Sequence, residues 1–146
     1  MGDRSVTRNC GPDLVRVGAG LPVAAYRDEI TTALHCGRAV IVAPPGTGKT
    51  TFVPPLVASR CSGRVIVSQP RRVAARAAAR RLATLTGTRP GEFASHTVHG
   101  ESTTTRDTKV EFVTTGVLLR RLLSDPDLSG VDAVVLDDVH ERHLDA

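Results

Sequence analysis

An apolar run, Ala39-Val40-Ile41-Val42, passes directly into Ala43-Pro44-Pro45-Gly46-Thr47-Gly48-Lys49-Thr50, and this junction restricts the fold more than any other feature. The β-branched run favours extended backbone. Gly46 and Gly48 allow the positive φ values of a tight loop. A helix is expected to start at Lys49 and run to Ser59, kinked or shortened by Pro54-Pro55. A strand, a glycine loop and a helix start in that order turn a row of backbone N–H groups, and the positive end of the helix dipole, toward one point. That point suits phosphate oxygens. Lys49 is placed to reach terminal phosphates, and the Thr50 hydroxyl can ligate Mg²⁺. Ala43 through Thr50, with Thr51 behind them, are therefore expected to hold a nucleoside triphosphate. Ala43 occupies the position where this pattern usually has its first Gly, which is tolerable if its φ is negative.

At 146 residues the chain has the length of one domain. No apolar run approaches the roughly 18 residues of a membrane span. Residues Met1 to Gly20 lack the apolar core of a signal peptide and read as a polar, poorly ordered tail. The three cysteines show no C-x-x-C spacing. Reduced thiols in the cytoplasm fit that pattern better than disulfides or zinc.

The net charge of +4 is unevenly distributed. Between Ile30 and Gly91 there are ten Lys or Arg and no acid, whereas from Glu92 onward eleven acids face five bases. A basic middle suits a polyanion. Arg-rich, Ala-rich composition of genomic origin would give a similar count, so charge alone leaves both readings open.

A helix is expected from Leu21-Pro22 to about Cys36. Buried strands are expected at Ala39–Ala43, Arg64–Ser68, Val110–Thr114 and Val131–Asp137, with a weaker one at Thr97–Val98. Helical patterns at Arg71–Thr86 and Gly116–Leu123 fall between them. In the first of these, Ala74, Ala78, Leu82 and Leu85 make the apolar face and Arg72, Arg76 and Arg80 lie opposite. Strands rich in Val, Ile and Leu that alternate with helices indicate a mostly parallel sheet with helices on both faces. Ligands of such sheets bind beyond the carboxyl ends of the strands.

Three more motifs fall at those ends. Val134-Val135-Leu136-Asp137-Asp138-Val139-His140 is an apolar strand closing on two acids. After a phosphate loop, Asp137 can support Mg²⁺ and Asp138 can orient or deprotonate an attacking water. Without that loop the pair would read as a solvated turn. Ser68-Gln69-Pro70-Arg71-Arg72 opens a helix with cations at its N-terminus, where they oppose the dipole. Arg71 and Arg72 thus suit an external phosphate better than they suit the helix, while Arg76, Arg80 and Arg81 read as a solvated face. Val113-Thr114-Thr115-Gly116 can hold a backbone phosphate through hydroxyl and N–H groups, or can simply cap a helix.

Together these motifs resemble the first RecA-like domain of the DEAH-box branch of superfamily-two helicases. Ala43–Thr50 is similar to motif I, Gln69–Arg72 to motif Ia, Thr114–Gly116 to motif Ib and Asp137–His140 to the DEAH box. The segments Leu21-Pro22-Val23, Arg71-Arg72-Val73-Ala74-Ala75-Arg76-Ala77, Gly100-Glu101-Ser102, Ser124–Gly130 and His140-Glu141-Arg142 resemble the bacterial HrpB group in particular. The resemblance implies an α/β, RecA-like P-loop NTPase domain over residues 21–146. It implies ATP and Mg²⁺ as ligands, and ATP hydrolysis coupled to remodelling of a nucleic acid, RNA rather than DNA. It implies that Asp137, Asp138 and His140 serve catalysis, that Thr50 and Asp137 serve the metal, and that Arg71, Arg72, Thr114 and Gly116 touch the nucleic-acid backbone.

The chain also departs from the family pattern. Asp138 stands where the family has Glu, one methylene shorter by about 1.5 Å, and misplacement of that order can cost about 10²-fold in rate. Thr115 stands where HrpB-like chains commonly carry an acid. The sequence stops after the DEAH-like box, so the resemblance implies an N-terminal fragment. Motif III and a second RecA-like domain with arginine fingers would lie elsewhere, and such fingers supply about 10³–10⁵ in rate. A nucleotide- and nucleic-acid-binding domain without significant turnover is the alternative expectation. A small-molecule kinase fits less well, given the Gln69–Arg72 and Asp137–His140 motifs.

Overall fold

A computed structural model describes residues 12–137. Asp138, Val139 and His140, and with them the second half of the DEAH-like box, lie outside the described residues.

The chain forms helix α1 (Leu14–Gly18), a 3₁₀ turn (Pro22–Tyr26), α2 (Arg27–Leu34), α3 (Lys49–Ala58), β1 (Arg64–Gln69), α4 (Arg72–Thr86), β2 (Ala94–Val98), β3 (Glu101–Ser102), β4 (Val110–Thr114), α5 (Thr115–Ser124) and β5 (Val131–Leu136). The strands make one five-stranded sheet in the order β3-β2-β4-β1-β5. All pairs are parallel except β2 with the short edge strand β3. β1, an inner strand between β4 and β5, is buried on both faces, which is why Val65, Ile66 and Val67 form an unbroken apolar run. Val65 and Val67 face α3 and α4, together with Val110, Phe112, Ala75, Ala79 and Leu82. Ile66 and Val113 face Leu118 of α5. Each such aliphatic side chain contributes about 1.5–3 kcal/mol on burial.

α4 forms because its alanines and leucines favour helix, and it stops at Gly87, which caps it with φ 67°. Its buried stripe is Ala75, Ala79, Leu82 and Ala83. That is rotated by about one residue from the expected Ala74, Ala78, Leu82 and Leu85 face. Small side chains let the helix lie close to the sheet, so the alanines that touch it need not follow the larger residues. Arg76 is not simply solvated: it pairs with Glu101 of β3 at 2.7 Å and ties the helix to the sheet edge.

Four expectations are corrected. The expected strand at Ala39–Ala43 pairs with no other strand among the described residues. Its side chains still alternate, with Ile41 packed on the core and Val40 and Val42 exposed at 91% and 90%. β1 already has β4 and β5 on its two edges, so residues 39–43 have no place beside it, and they do not pair with the open edge of β5. Second, Leu21 to Cys36 is broken into a 3₁₀ turn and α2 rather than one helix. Third, α3 runs unbroken through Pro54 and Pro55. Burial of Phe52, Val53, Leu56 and Val57 outweighs the roughly 3 kcal/mol that an interior Pro costs a helix. Fourth, order begins before Leu21: α1 is capped by Asp13, which accepts from the Arg16 N–H at 3.1 Å, and it buries Leu14 and Val17.

The α5 face carries an ionic clamp. Glu111 of β4 is fully buried and accepts from Arg121 of α5 at 2.7 and 2.6 Å, from Thr97 at 2.6 Å and from Thr104 at 2.8 Å. Burial alone would push its carboxyl up. The Arg121 and Thr97 hydrogen bonds, with the Arg121 charge, outweigh it and hold the group at about 2, below its ordinary value of 4.5. A lowered pKa stabilises the fold above the ordinary value, and that contribution is lost as pH falls from 4.5 toward 2. Glu111→Gln leaves Arg121 without its charged partner and is expected to cost about 3–5 kcal/mol at neutral pH. Denaturant melts should show that gap narrowing as pH falls below 4.5; a constant gap would contradict the clamp.

Candidate nucleotide and nucleic-acid site

Gly46 and Gly48 take φ values of 79° and 92°, while Ala43 has no positive φ, which explains why Ala is accommodated there. Gly48 is the N-cap of α3, so Lys49 and Thr50 open the helix where N–H groups lack intrahelical acceptors. The Thr47 hydroxyl donates to the Pro44 carbonyl at 2.9 Å, and the Lys49 ammonium donates to the Ala43 carbonyl at 2.5 Å. Pro45 lies exposed between them, and Thr51 follows in the first helical turn.

The loop is braced from outside. The Val23 N–H donates to the Thr47 carbonyl at 3.0 Å. A Cβ at Gly48 would lie 2.9 Å from Leu21 Cδ2, whereas at Gly46 it would meet nothing within 4 Å. Leu21-Pro22-Val23 was expected to start a helix and was among the segments resembling the HrpB group, but was given no part in the phosphate loop. Proline beside two apolar residues carries no signal that they support a loop some 25 residues later.

The described acid of the DEAH-like pair reaches this loop. The Thr50 hydroxyl donates to Asp137 Oδ2 at 2.5 Å, across 87 residues of sequence. Gln69 Nε2 donates to the same oxygen at 2.6 Å. The Asp137 N–H donates to the Ser68 carbonyl at 3.1 Å, which extends the β1–β5 ladder and fixes the acid at the strand end. A hydroxyl and a carboxylate meeting beside a helix N-terminus are the hard oxygen donors that suit Mg²⁺. Gln69 was not among the expected site residues. The signal was there, since it is a polar residue closing a strand otherwise made of buried Val and Ile.

Parallel pairing also sets Gln69 directly opposite Thr114. α4 begins at Arg72 with Arg71 as its N-cap, and α5 begins at Thr115 with Thr114 as its N-cap. Neither cap bonds its helix through its side chain. Two helix N-termini thus open side by side, and Arg71, Arg72 and Gly116 are exposed on them. The structure brings Thr50 and Asp137 into contact and places Arg71, Arg72, Thr114 and Gly116 on the same edge of the sheet. A cavity of about 740 Å³ lined by Arg64, Phe93, Lys109 and Gly130 lies at the opposite edge, where the strands begin.

Fold and loop together define a RecA-like P-loop domain. No family model matches the chain. Over 131 residues it is 42% identical to the protein named ATP-dependent RNA helicase HrpB of Escherichia coli (strain K12), covering 88% of this chain and 16% of that relative. It is 36% identical over 132 residues to Probable ATP-dependent RNA helicase DHX34 of Homo sapiens, covering 90% of this chain and 12% of the relative. The crystal structure of Escherichia coli DEAH/RHA helicase HrpB matches with a TM-score of 0.81 at 41% identity, over 86% of this chain and 16% of that one. Over most of its own length the chain is similar to HrpB-type DEAH-box helicases, and it spans about one-sixth or less of the length of these relatives. No helix among the described residues is long and apolar enough to cross a membrane.

Gly48→Ala is expected to harm the loop more than Gly46→Ala. Both replace a positive φ, at about 1–2 kcal/mol each, but only Gly48→Ala also drives into Leu21. Thermal melts and ATP titration of the two variants check this ordering; equal effects would contradict the bracing by Leu21.

Proposed function

We propose that this chain is the ATP-binding part of an ATP-dependent helicase that acts on RNA rather than DNA, in the cytoplasm. The observation that carries this reading is the Thr50–Asp137 hydrogen bond. It joins the phosphate loop to the strand-end acid, the two parts that phosphoryl transfer from a triphosphate requires side by side.

In this reading Ala43 to Thr51 cradle the phosphates, with Lys49 at the terminal ones. Thr50 and Asp137 would hold Mg²⁺, which would supply positive charge against the phosphate oxygens. Asp138 takes a proton from the attacking water as the new P–O bond forms and the bond to ADP breaks. His140 links that event to nucleic-acid binding. Arg71, Arg72, Thr114 and Gly116 hold consecutive backbone phosphates at the two helix starts, a contact that positions the strand without reading its bases. A second RecA-like domain supplies the arginines that complete the transition state.

The shorter Asp138 favours a second reading, nucleotide and nucleic-acid binding with little turnover. Titration with ATP and Mg²⁺, fluorescence anisotropy with matched RNA and DNA strands, and phosphate release together test the proposal. Saturable ATP binding lost in Lys49→Ala, tighter RNA than DNA binding, and weaker RNA binding in Arg71→Ala and Arg72→Ala are expected. Asp138→Glu is expected to raise the rate by up to about 10²-fold. Absence of ATP binding would contradict the proposal, and an unchanged rate in Asp138→Glu would remove the role given to that carboxylate.

A further inference from the structure

We infer that Gln69 is a positioning residue that links the arginine-bearing start of α4 to the carboxylate of Asp137. The inference rests on the nucleotide reading above and adds to it a physical route between the two ligands. Gln69 is 1% exposed at the last position of β1. A buried amide facing a carboxylate can present only its NH₂ group, because its oxygen would be repelled. The 2.6 Å contact from Nε2 to Asp137 Oδ2 is therefore a directed, charge-assisted hydrogen bond. Thr50 donates to the same oxygen. With the Gln69 amide and the Thr50 hydroxyl both on Oδ2, the Gln69 amide helps fix the orientation of the Asp137 carboxylate beside the phosphate loop.

The backbone of Gln69 is tied to the candidate nucleic-acid edge. Pro70 follows it with a ring-fixed φ, then Arg71 as the N-cap of α4, whose carbonyl accepts from the Ala75 N–H at 3.1 Å. On its other side Gln69 pairs with Thr114, the N-cap of α5. A phosphodiester that draws the two helix starts together therefore shifts the residue whose amide sets the Asp137 carboxylate. Any such shift alters Mg²⁺-dependent nucleotide binding, and nucleotide alters RNA affinity by the same factor.

The test is titration of this chain with a fluorescent ATP analogue, across Mg²⁺ concentrations, with and without an unstructured oligouridine strand. Wild type is compared with Gln69→Met, which keeps length and loses the donor, and with Gln69→Glu, which keeps volume and turns a carboxylate toward Asp137. Thermal melts confirm folding, and Gln69→Glu supplies the reading if Gln69→Met fails to fold. In the variants, nucleotide affinity without Mg²⁺ should match wild type. In Gln69→Met the Mg²⁺ concentration for half-effect should rise about tenfold, and in both variants oligouridine should no longer change nucleotide affinity. Wild-type Mg²⁺ and oligouridine responses in a folded variant overturn the inference. So does an equal loss of affinity with and without Mg²⁺, which marks a merely structural role. If wild type binds no nucleotide, the nucleotide reading itself fails, and this inference with it.

Discussion

One carboxylate oxygen, Oδ2 of Asp137, receives the Thr50 hydroxyl and the Gln69 amide from two segments far away in sequence. The arrangement of the site depends on that convergence, and the convergence depends on parallel strand pairing. β1, β4 and β5 run the same way, so each releases its last residue at the same edge. An antiparallel partner would have sent Asp137 or Gln69 to the far side of the molecule. The buried Val and Ile runs that force parallel, two-sided burial are thus what brings an acid, an amide and a hydroxyl within hydrogen-bond reach.

Much of this was legible in the sequence because it is local. Val110–Thr114 matches β4 at both ends, and β1 and β5 differ from expectation by a single residue each. The glycine loop and the strand-end position of Asp137 follow from spacing alone. What was not legible is pairwise and long-range. Residues 39–43 have the composition and alternation of a strand, yet a strand is defined by its neighbour, and periodicity cannot supply one. Pro54 and Pro55 argue locally against a helix that tertiary burial nevertheless maintains. The Leu21–Gly48 contact and the Gln69–Asp137 bond join distant residues whose types, taken singly, are ordinary.

The two faces of the sheet are held by different forces. The α3 and α4 face is apolar and made of closely fitted Ala, Val, Leu and Phe. On the α5 face a small apolar cluster sits beside the Glu111 clamp, so part of the fixation there is ionic. An ionic clamp holds orientation better than it adds net stability, and orientation is what the start of α5 needs if Thr114 and Gly116 are to meet a phosphate. Val40, Val42 and the 60%-exposed Leu136 leave apolar side chains uncovered, Leu136 directly before Asp137 at the end of β5.

The central claim is that Thr50 and Asp137 form one metal-dependent nucleotide site. A double-mutant cycle on the Mg²⁺-dependent gain in ATP affinity, with Thr50→Val, Asp137→Asn and the combined variant, tests it most directly. The account predicts that each single change removes most of the gain and that the double variant is no worse than either, a coupling of about 0.5–3 kcal/mol. Additive losses, or a Mg²⁺ gain that survives Asp137→Asn, would contradict it.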